Sequence, residues 1–428
     1  MRFLLALALC IWLPVQGAVM LRLDTNLAPP YQLSHDGRLA GLAVEALQCV
    51  MHQLQVGYQM EVVPWRRAKN NVRNGQSDGV FSVMQLPELE PYARLSSPLV
   101  LEKWYWFALD SGQLQVENFP ASLRIGVLRG SNQQSWLEEN GWMPSQTVNH
   151  LDSLLRLLAI GRVDVILADQ QVIQRQQQLD SSRLSSRFER YVPLGVYFSS
   201  RLLAQRPEFL AQFNAQLPAC HGAGLTMSES EARQLRLIVD QDVADLLQQP
   251  SLQQLLARMP APDPDWRNRD RVWQQSVKHD DPYPHWMVSL LSSPISQTLA
   301  AWQQRHAARY SEIFISSAHG ELLATSVVTS DYWQGDEEKV RETLRLAALH
   351  PDVESLSWLD GQHEESGGHI DFDDSTHDFI AHLSYPLRYQ GKAVAVVTFG
   401  VKVESVLRHA GGLIRAGKQN PLPGSIVN

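Results

Sequence analysis

Positive charge is in short supply. The chain sets 37 Lys and Arg against 45 Asp and Glu, for a net charge of −8, and no cluster of basic residues marks a face able to track phosphates. Nucleic acid is excluded as a partner on that ground. Long apolar runs are absent beyond the N-terminus, where nothing nears the roughly 18 residues of a membrane span, so the chain is not expected to cross a membrane itself. A zinc-binding His-Glu-x-x-His, a P-loop and a nucleophile elbow of strand, Gly-x-Ser-x-Gly and helix are all missing. No cofactor and no metal are implied. Cysteine is sparse, with 3 in 428 residues.

What is present begins with "MRFLLALALCIWLPVQGA". A basic Arg2, an apolar stretch, a Pro and small residues at Gly17 and Ala18 describe a secretory signal peptide over residues 1–18, set aside from the fold. Cys10 lies inside its apolar core after Leu9, a poor context for lipid attachment. The mature chain is expected to be exported and soluble, with Cys49 and Cys220 facing an oxidising compartment. They either form a disulfide or stay buried as thiols. The length suits two or three domains of roughly 100–200 residues, and 12 Trp suit ligand platforms as well as cores.

One phrase occurs twice, in "RNGQSDGVFSV" and "AIGRVDVILAD". Each closes a helical pattern with Gly (Gly75, Gly161), steps to an Asp (Asp78, Asp164) and enters an apolar run. Glycine readily takes the left-handed turn that ends a helix, and a short Val/Ile/Leu run reads as a buried parallel strand. Two βα units in two similar lobes are expected, the first over about 19–109 and 191–224 and the second over about 113–190. The strand in "ERYVPLGVYFSS" should return the chain to the first lobe, and "PEFLAQFNAQLPAC" should pack there as a helix.

After Gly224 the texture changes. "SESEARQLRLIVDQDVADLL" reads as a helix with Ser228 as N-cap and Glu231 at capping-box distance, and "PAPDPDW" breaks the helical region. Hairpins then turn at His319-Gly320 and near Gln390-Gly391. Helices followed by antiparallel hairpins indicate a separate α+β domain over 228–410, with a loose tail over 411–428.

Over about 19–220 the chain resembles the family 3 periplasmic solute-binding proteins, of the amino-acid-binding type. "APPY", "GRLAGLAVEAL", "VPW", "NGQSDGVFSV", "IGVLRGSN" and "GRVDVILAD" carry the resemblance in this order. It implies an α/β bilobed type 2 periplasmic-binding-protein fold that closes on a small molecule. By family position, Trp65 would stack on the ligand and Asp169 would hold its amino group. Tyr31, Arg66, Ser82, Arg129, Ser131 and Asn132 are the further ligand-binding candidates. For each there is an ordinary structural alternative: a buried indole, a helix cap, a turn. The family's carboxylate-clamping Arg falls at or beside Leu89, and the next Arg is Arg94. Leucine cannot make a bidentate fork, so the expected ligand is amine-bearing and not a standard amino acid, unless Arg66 or Arg129 substitutes.

From about 228 to 407 the chain resembles the PAS-like Cache sensor domains of membrane receptors, α+β with long N-terminal helices, on "SSPISQTLAAW", "YSEIFISSAHGELLATS", "TSDYWQGDEEKV" and "GKAVAVVTFGVKVESVL". Tyr332, Trp333 and Asp336 are its candidate pocket. Ser330 and Asp331 read as helix caps. "GQHEESGGHIDFDDSTHDF" gathers His363, Glu365, His369, Asp371, Asp373, Asp374 and His377, but at spacings that match no closed zinc motif, and a solvated loop is the expectation. The resemblances imply a non-catalytic binding protein for sensing or ABC-type transport, with a membrane permease or membrane-bound signalling receptor as partner. The alternatives are an ABC transporter component with a purely structural second domain, or an enzyme on the same fold, a dehydratase or a cell-wall lytic enzyme; the enzyme has the weakest case. It lacks a supporting motif, since Glu354-Ser355 is followed by none.

Overall fold

The computed structural model describes residues 20–114, 122–175, 184–220, 222–279, 281–351, 357–359, 368–373, 376–409 and 414–415. The expected signal peptide, Glu354-Ser355, His363, Glu365, Asp374 and most of the tail lie outside the described residues. The chain divides into two compact units, 1–100 with 194–221, and 101–193 with 222–428. The second lobe and the C-terminal region thus share one unit, and the crossings fall at 100/101 and 193/194, where the sequence suggested about 109–113 and 190–191.

The first unit opens with β1 (Leu21–Thr25), β2 (Leu33–His35), β3 (Arg38–Ala40), α1 (Leu42–Gln53), β4 (Tyr58–Val62), α2 (Trp65–Arg73), β5 (Gly79–Val83) and β6 (Ala93–Leu95). β7 (Val100–Ala108) enters the second unit, followed by β8 (Ile125–Leu128), α3 (Asn132–Glu139), β9 (Gln146–Val148), α4 (Leu151–Ala159), β10 (Val165–Asp169) and α5 (Gln170–Gln174). β11 (Ser185–Ser199) returns to the first unit, which ends with α6 (Ser200–Gln205) and α7 (Phe209–Gln216).

The repeated phrase has one structural meaning. In the first unit β4, β1 and β5 run parallel, and β5 lies antiparallel to the crossing strand β11. In the second, β9, β8 and β10 run parallel, and β10 lies antiparallel to the crossing strand β7. Gly75 (φ 68°) and Gly161 (φ 65°) take the left-handed turn after their helices. Each Asp then does the same work. The Asp78 carboxylate accepts the Arg22 N–H at 3.0 Å while its own N–H donates to the Arg22 carbonyl at 2.8 Å. Asp164 does likewise with Arg124, at 2.9 and 2.8 Å. The Gly75-Gln76-Ser77-Asp78-Gly79 letters also spell Gly-x-Ser-x-Gly, but they join helix to strand, the reverse of a nucleophile elbow. Ser77 is buried and donates to the Gly79 carbonyl. Cys49 and Cys220 are joined by a disulfide, tying α1 to the chain just past α7.

The second unit continues with α8 (Glu229–Leu247), α9 (Pro250–Ala257), α10 (Trp266–His279), α11 (His285–Leu291), α12 (Pro294–Arg305), β12 (Tyr310–Ser317), β13 (Leu322–Thr325), α13 (Glu338–Leu349), β14 (Trp358–Leu359), β15 (Asp371–Asp373), β16 (Asp378–Tyr389), β17 (Lys392–Lys402), α14 (Val403–His409) and β18 (Ile414–Arg415). Its second sheet has the order β13-β12-β17-β16-β14, with β15 on β16. The hairpins turn where the sequence put them. Ser228 and Glu231 close a full capping box. One apolar core runs without a break from Leu101, Tyr105, Phe188 and Tyr191 to Leu235, Trp302, Phe379 and Phe399. The tail begins as structure: Ile414 and Arg415 pair with Ser186 and Ser185 of β11. Ser330 and Asp331 cap no helix. α13 starts only at Glu338 behind Glu337, and Asp331 instead accepts from the Gln334 side chain within its loop. Among the described residues no helix is long and apolar enough to cross a membrane.

Candidate functional site

β7 is buried along its whole length, and strand alternation divides its side chains between two faces. Glu102, Trp104 and Trp106 share one face; Lys103, Tyr105 and Phe107 share the other. Asp169 lies opposite Trp104 in the β7–β10 register, which brings it to the Glu102 side.

Glu102 is 9% exposed. Its carboxylate accepts the Trp104 indole N–H at 2.7 Å and the Asn132 amide at 3.2 Å. Burial, then the negative charge of Asp169, pushes the Glu102 carboxyl up to about 7, against the pull of those two hydrogen bonds. Asp169 is also buried. It N-caps α5 by accepting the Val172 N–H at 3.0 Å, and it accepts the Lys103 N–H at 2.8 Å. Trp136 meets Trp104 edge-on with ring centroids 5.9 Å apart, and the Arg190 guanidinium lies 6.0 Å from the Trp104 ring centre. Two buried acids, an amide and two indoles therefore share one neighbourhood, which already draws one cation, the Arg190 guanidinium.

Of the loop "RGSN", Asn132 alone reaches this group. Ser131 is occupied as the N-cap of α3, accepting the Gln134 N–H and donating to the Leu128 carbonyl. Arg129 is exposed and donates to the Thr147 carbonyl at 3.3 Å. Glu102 was not foreseen, because an acid inside "VLEKWYWFA" is masked by its aromatic neighbours. The available signal was the acid itself, within a strand otherwise fit only for a core.

In the first unit Tyr31 is 2% exposed. Trp65 is half-buried at the start of α2, packs on the core of Ala68, Val72 and Leu89, and carries the Lys69 ammonium 5.6 Å from its ring centre. Arg66 is exposed. Leu89, at the clamp position, is fully buried in that core, and Arg94 is held by the Glu90 carbonyl at 2.5 Å. Ser82 has φ 62°, a left-handed conformation uncommon outside glycine, next to the register shift between Gly195 and Val196 of β11.

The other face of β7 is bound to the C-terminal region. The Lys103 ammonium meets a Glu231 carboxylate oxygen at 2.6 Å, and the Tyr105 hydroxyl donates to the other at 2.7 Å. Burial opposes the Glu231 charge, yet Lys103 and the N-terminal hydrogen bonds of α8 hold its carboxyl below the ordinary value. The Glu404 carboxylate of α14 accepts the Tyr191 N–H at 2.6 Å.

The second-domain candidates part company. Tyr332 is 4% exposed, and its hydroxyl donates to Asp263 at 3.1 Å. Trp333 stacks on Trp266 at 3.8 Å, and Asp336 is exposed. His369 meets Asp371 at 3.2 Å, and His382 lies between Asp371 and Glu312 at 3.5 and 3.1 Å. Among the described residues no group of three or more His, Cys, Asp or Glu is arranged to hold a metal ion.

No protein-family model matches the chain, and no curated protein matches it. Among solved structures the chain is similar to an ancestral cationic amino acid solute binding protein, at 18% identity, 48% of this chain, 91% of that chain and a TM-score of 0.38. It is similar to a histidine kinase sensor domain with similarity to periplasmic binding proteins, at 17% identity, 48% of this chain, 92% of that chain and a TM-score of 0.38. It is also similar to the arginine-, lysine-, histidine-binding protein ArtJ from Geobacillus stearothermophilus, at 17% identity, 48% of this chain, 90% of that chain and a TM-score of 0.36.

Proposed function

We propose that this chain is an exported binding protein for a small amine-bearing solute other than a standard amino acid, used in sensing or transport. The observation that carries the reading is the buried pair Glu102 and Asp169, on one sheet face with Trp104 and met there by the Asn132 side chain of α3. Glu102 uses two of the roughly four acceptor sites of a carboxylate, and an ammonium beside it would offset the burial and the Asp169 charge that raise its pKa. Leu89 in the core leaves the clamp position without a guanidinium. The disulfide suits an oxidising compartment. The fastening of β7 to α8 through Lys103 and Glu231 favours sensing: the strand that would read the solute on one face grips the C-terminal region with the other. We read that region as a PAS-like Cache domain, on its single antiparallel sheet preceded by long helices, with a membrane permease or signalling receptor as the partner. Lobe closure on the solute is the motion this reading entails, and small-angle scattering with and without solute measures it.

Calorimetric titration with a polyamine panel and an amino-acid panel tests the reading. Binding of an amine should weaken at least tenfold in Asp169→Asn and fall as pH drops through 7, where Glu102 takes up its proton. Tight binding of any standard amino acid, or amine binding indifferent to Asp169→Asn and Glu102→Gln, sinks it. A second reading, acid–base catalysis in the same place, draws on the raised Glu102 carboxyl. Turnover of a bound amine, lost in Glu102→Gln with affinity retained, would favour it.

A further inference from the structure

The Pro-rich break "MPAPDP" between α9 and α10 does more than end a helix. It forms one wall of a cavity of about 760 Å³ at the turn end of the second sheet, where the β12–β13 turn and the start of β17 lie side by side. The volume falls within the range of about 300–1,000 Å³ common to small-molecule sites. Leu290, Leu322, Leu323, Val394 and Met259 supply an apolar lining.

The charged groups around it are unequally occupied. Asp263 accepts the Tyr332 hydroxyl at 3.1 Å and the Asp265 N–H at 3.0 Å, and it faces the Arg269 Nε at 3.1 Å. Glu321, 4% exposed, accepts the Asp263 N–H at 3.0 Å and the Ser317 hydroxyl. Both acids are thus committed to holding the cavity wall. On the donor side, Lys392 and His319 line the cavity, are exposed, and have no side-chain partner among the described residues. Among the described residues the Arg269 guanidinium meets Asp263 and the face of Trp286, 5.0 Å from its ring centre. Acceptors are spent and donors remain, so an apolar body with an anionic head is the complementary ligand.

We propose that this cavity is a second binding site, for a small aromatic or medium-chain carboxylate, with its apolar body on Leu322 and Leu323 and its carboxylate at Lys392. The site is independent of the Glu102–Asp169 pair. Titration calorimetry on the full chain with phenylacetate and hexanoate, against phenethylamine and hexylamine, tests it. The carboxylates should bind saturably. Ala318→Trp, a change at an exposed lining position, should abolish that binding, and Lys392→Gln should weaken it about tenfold. Asp169→Asn should leave it unchanged, which separates failure here from failure of the amine-binding reading. Lys392→Glu alters an exposed, partnerless side chain, so it carries the test alone if Ala318→Trp does not fold. Absence of saturable carboxylate binding, binding undiminished by the Lys392 variants, or amine binding that Ala318→Trp removes would each overturn the proposal.

Discussion

At the scale of the residue, Glu102 has the most consequential chemistry. Its carboxyl titrates near 7 in the folded chain and near 4.5 when unfolded. The folded state therefore holds the proton more tightly, and the stability Glu102 contributes is full below about pH 4.5 and lost as pH rises through 7. Glu102→Gln, which mimics the protonated acid, should match the wild type in thermal unfolding at pH 4 and exceed it at pH 8, by roughly 3 kcal/mol. Equal melting at both pH values would show that the carboxyl is not buried as described. Asp169 was legible in the sequence as the residue ending a repeated phrase. Glu102 was not, because alternation along one strand does not say which neighbour covers which face.

At the scale of the element, the recurring phrase gives the clearest test. Asp78 and Asp164 each satisfy a backbone N–H at the start of an adjacent parallel strand. Asp78→Ala, at a part-buried bond, should cost about 1–3 kcal/mol in urea unfolding, and Asp164→Ala, at an exposed one that water can replace, about 0.5–1.5 kcal/mol. Asp164→Asn, which can still accept, should recover part of the loss. The disulfide closes a separation of 171 residues. Cys49→Ser with Cys220→Ser should destabilise the first unit by about 2–5 kcal/mol, read as a lower melting temperature that reductant reproduces in the wild type. Helix signals were the most legible of all. Ser228 and Glu231 declared the start of α8, yet the buried ion pair of Glu231 with Lys103 could not be foreseen, since 128 residues separate the two.

At the scale of the whole molecule, the C-terminal region shares a core with the lobe built on β7 and β10. Tyr105, Phe188 and Tyr191 are buried within this shared core, whose C-terminal members include Leu235 and Phe379. A chain ended after residue 221 should lose that cover. Its remaining lobe should bind a hydrophobic dye and give little soluble protein, while the full chain should not. A truncated chain that folds and melts like a free-standing bilobed protein would contradict the shared core. Hydrogen exchange on the full chain should likewise show β7, β10 and α8 opening together.

The sequence by itself determined what local chemistry can write: where helices start and stop, which glycines turn, where hairpins reverse, and that one βα unit occurs twice. These depend on near neighbours and on backbone conformations that few residues tolerate. Tertiary structure alone decided that Glu102 joins Asp169, that Lys103 reaches Glu231, and that the second lobe and the C-terminal region share one core. Such pairings are set by which strand faces meet after long loops close, and desolvation on those faces exists only once the chain has folded.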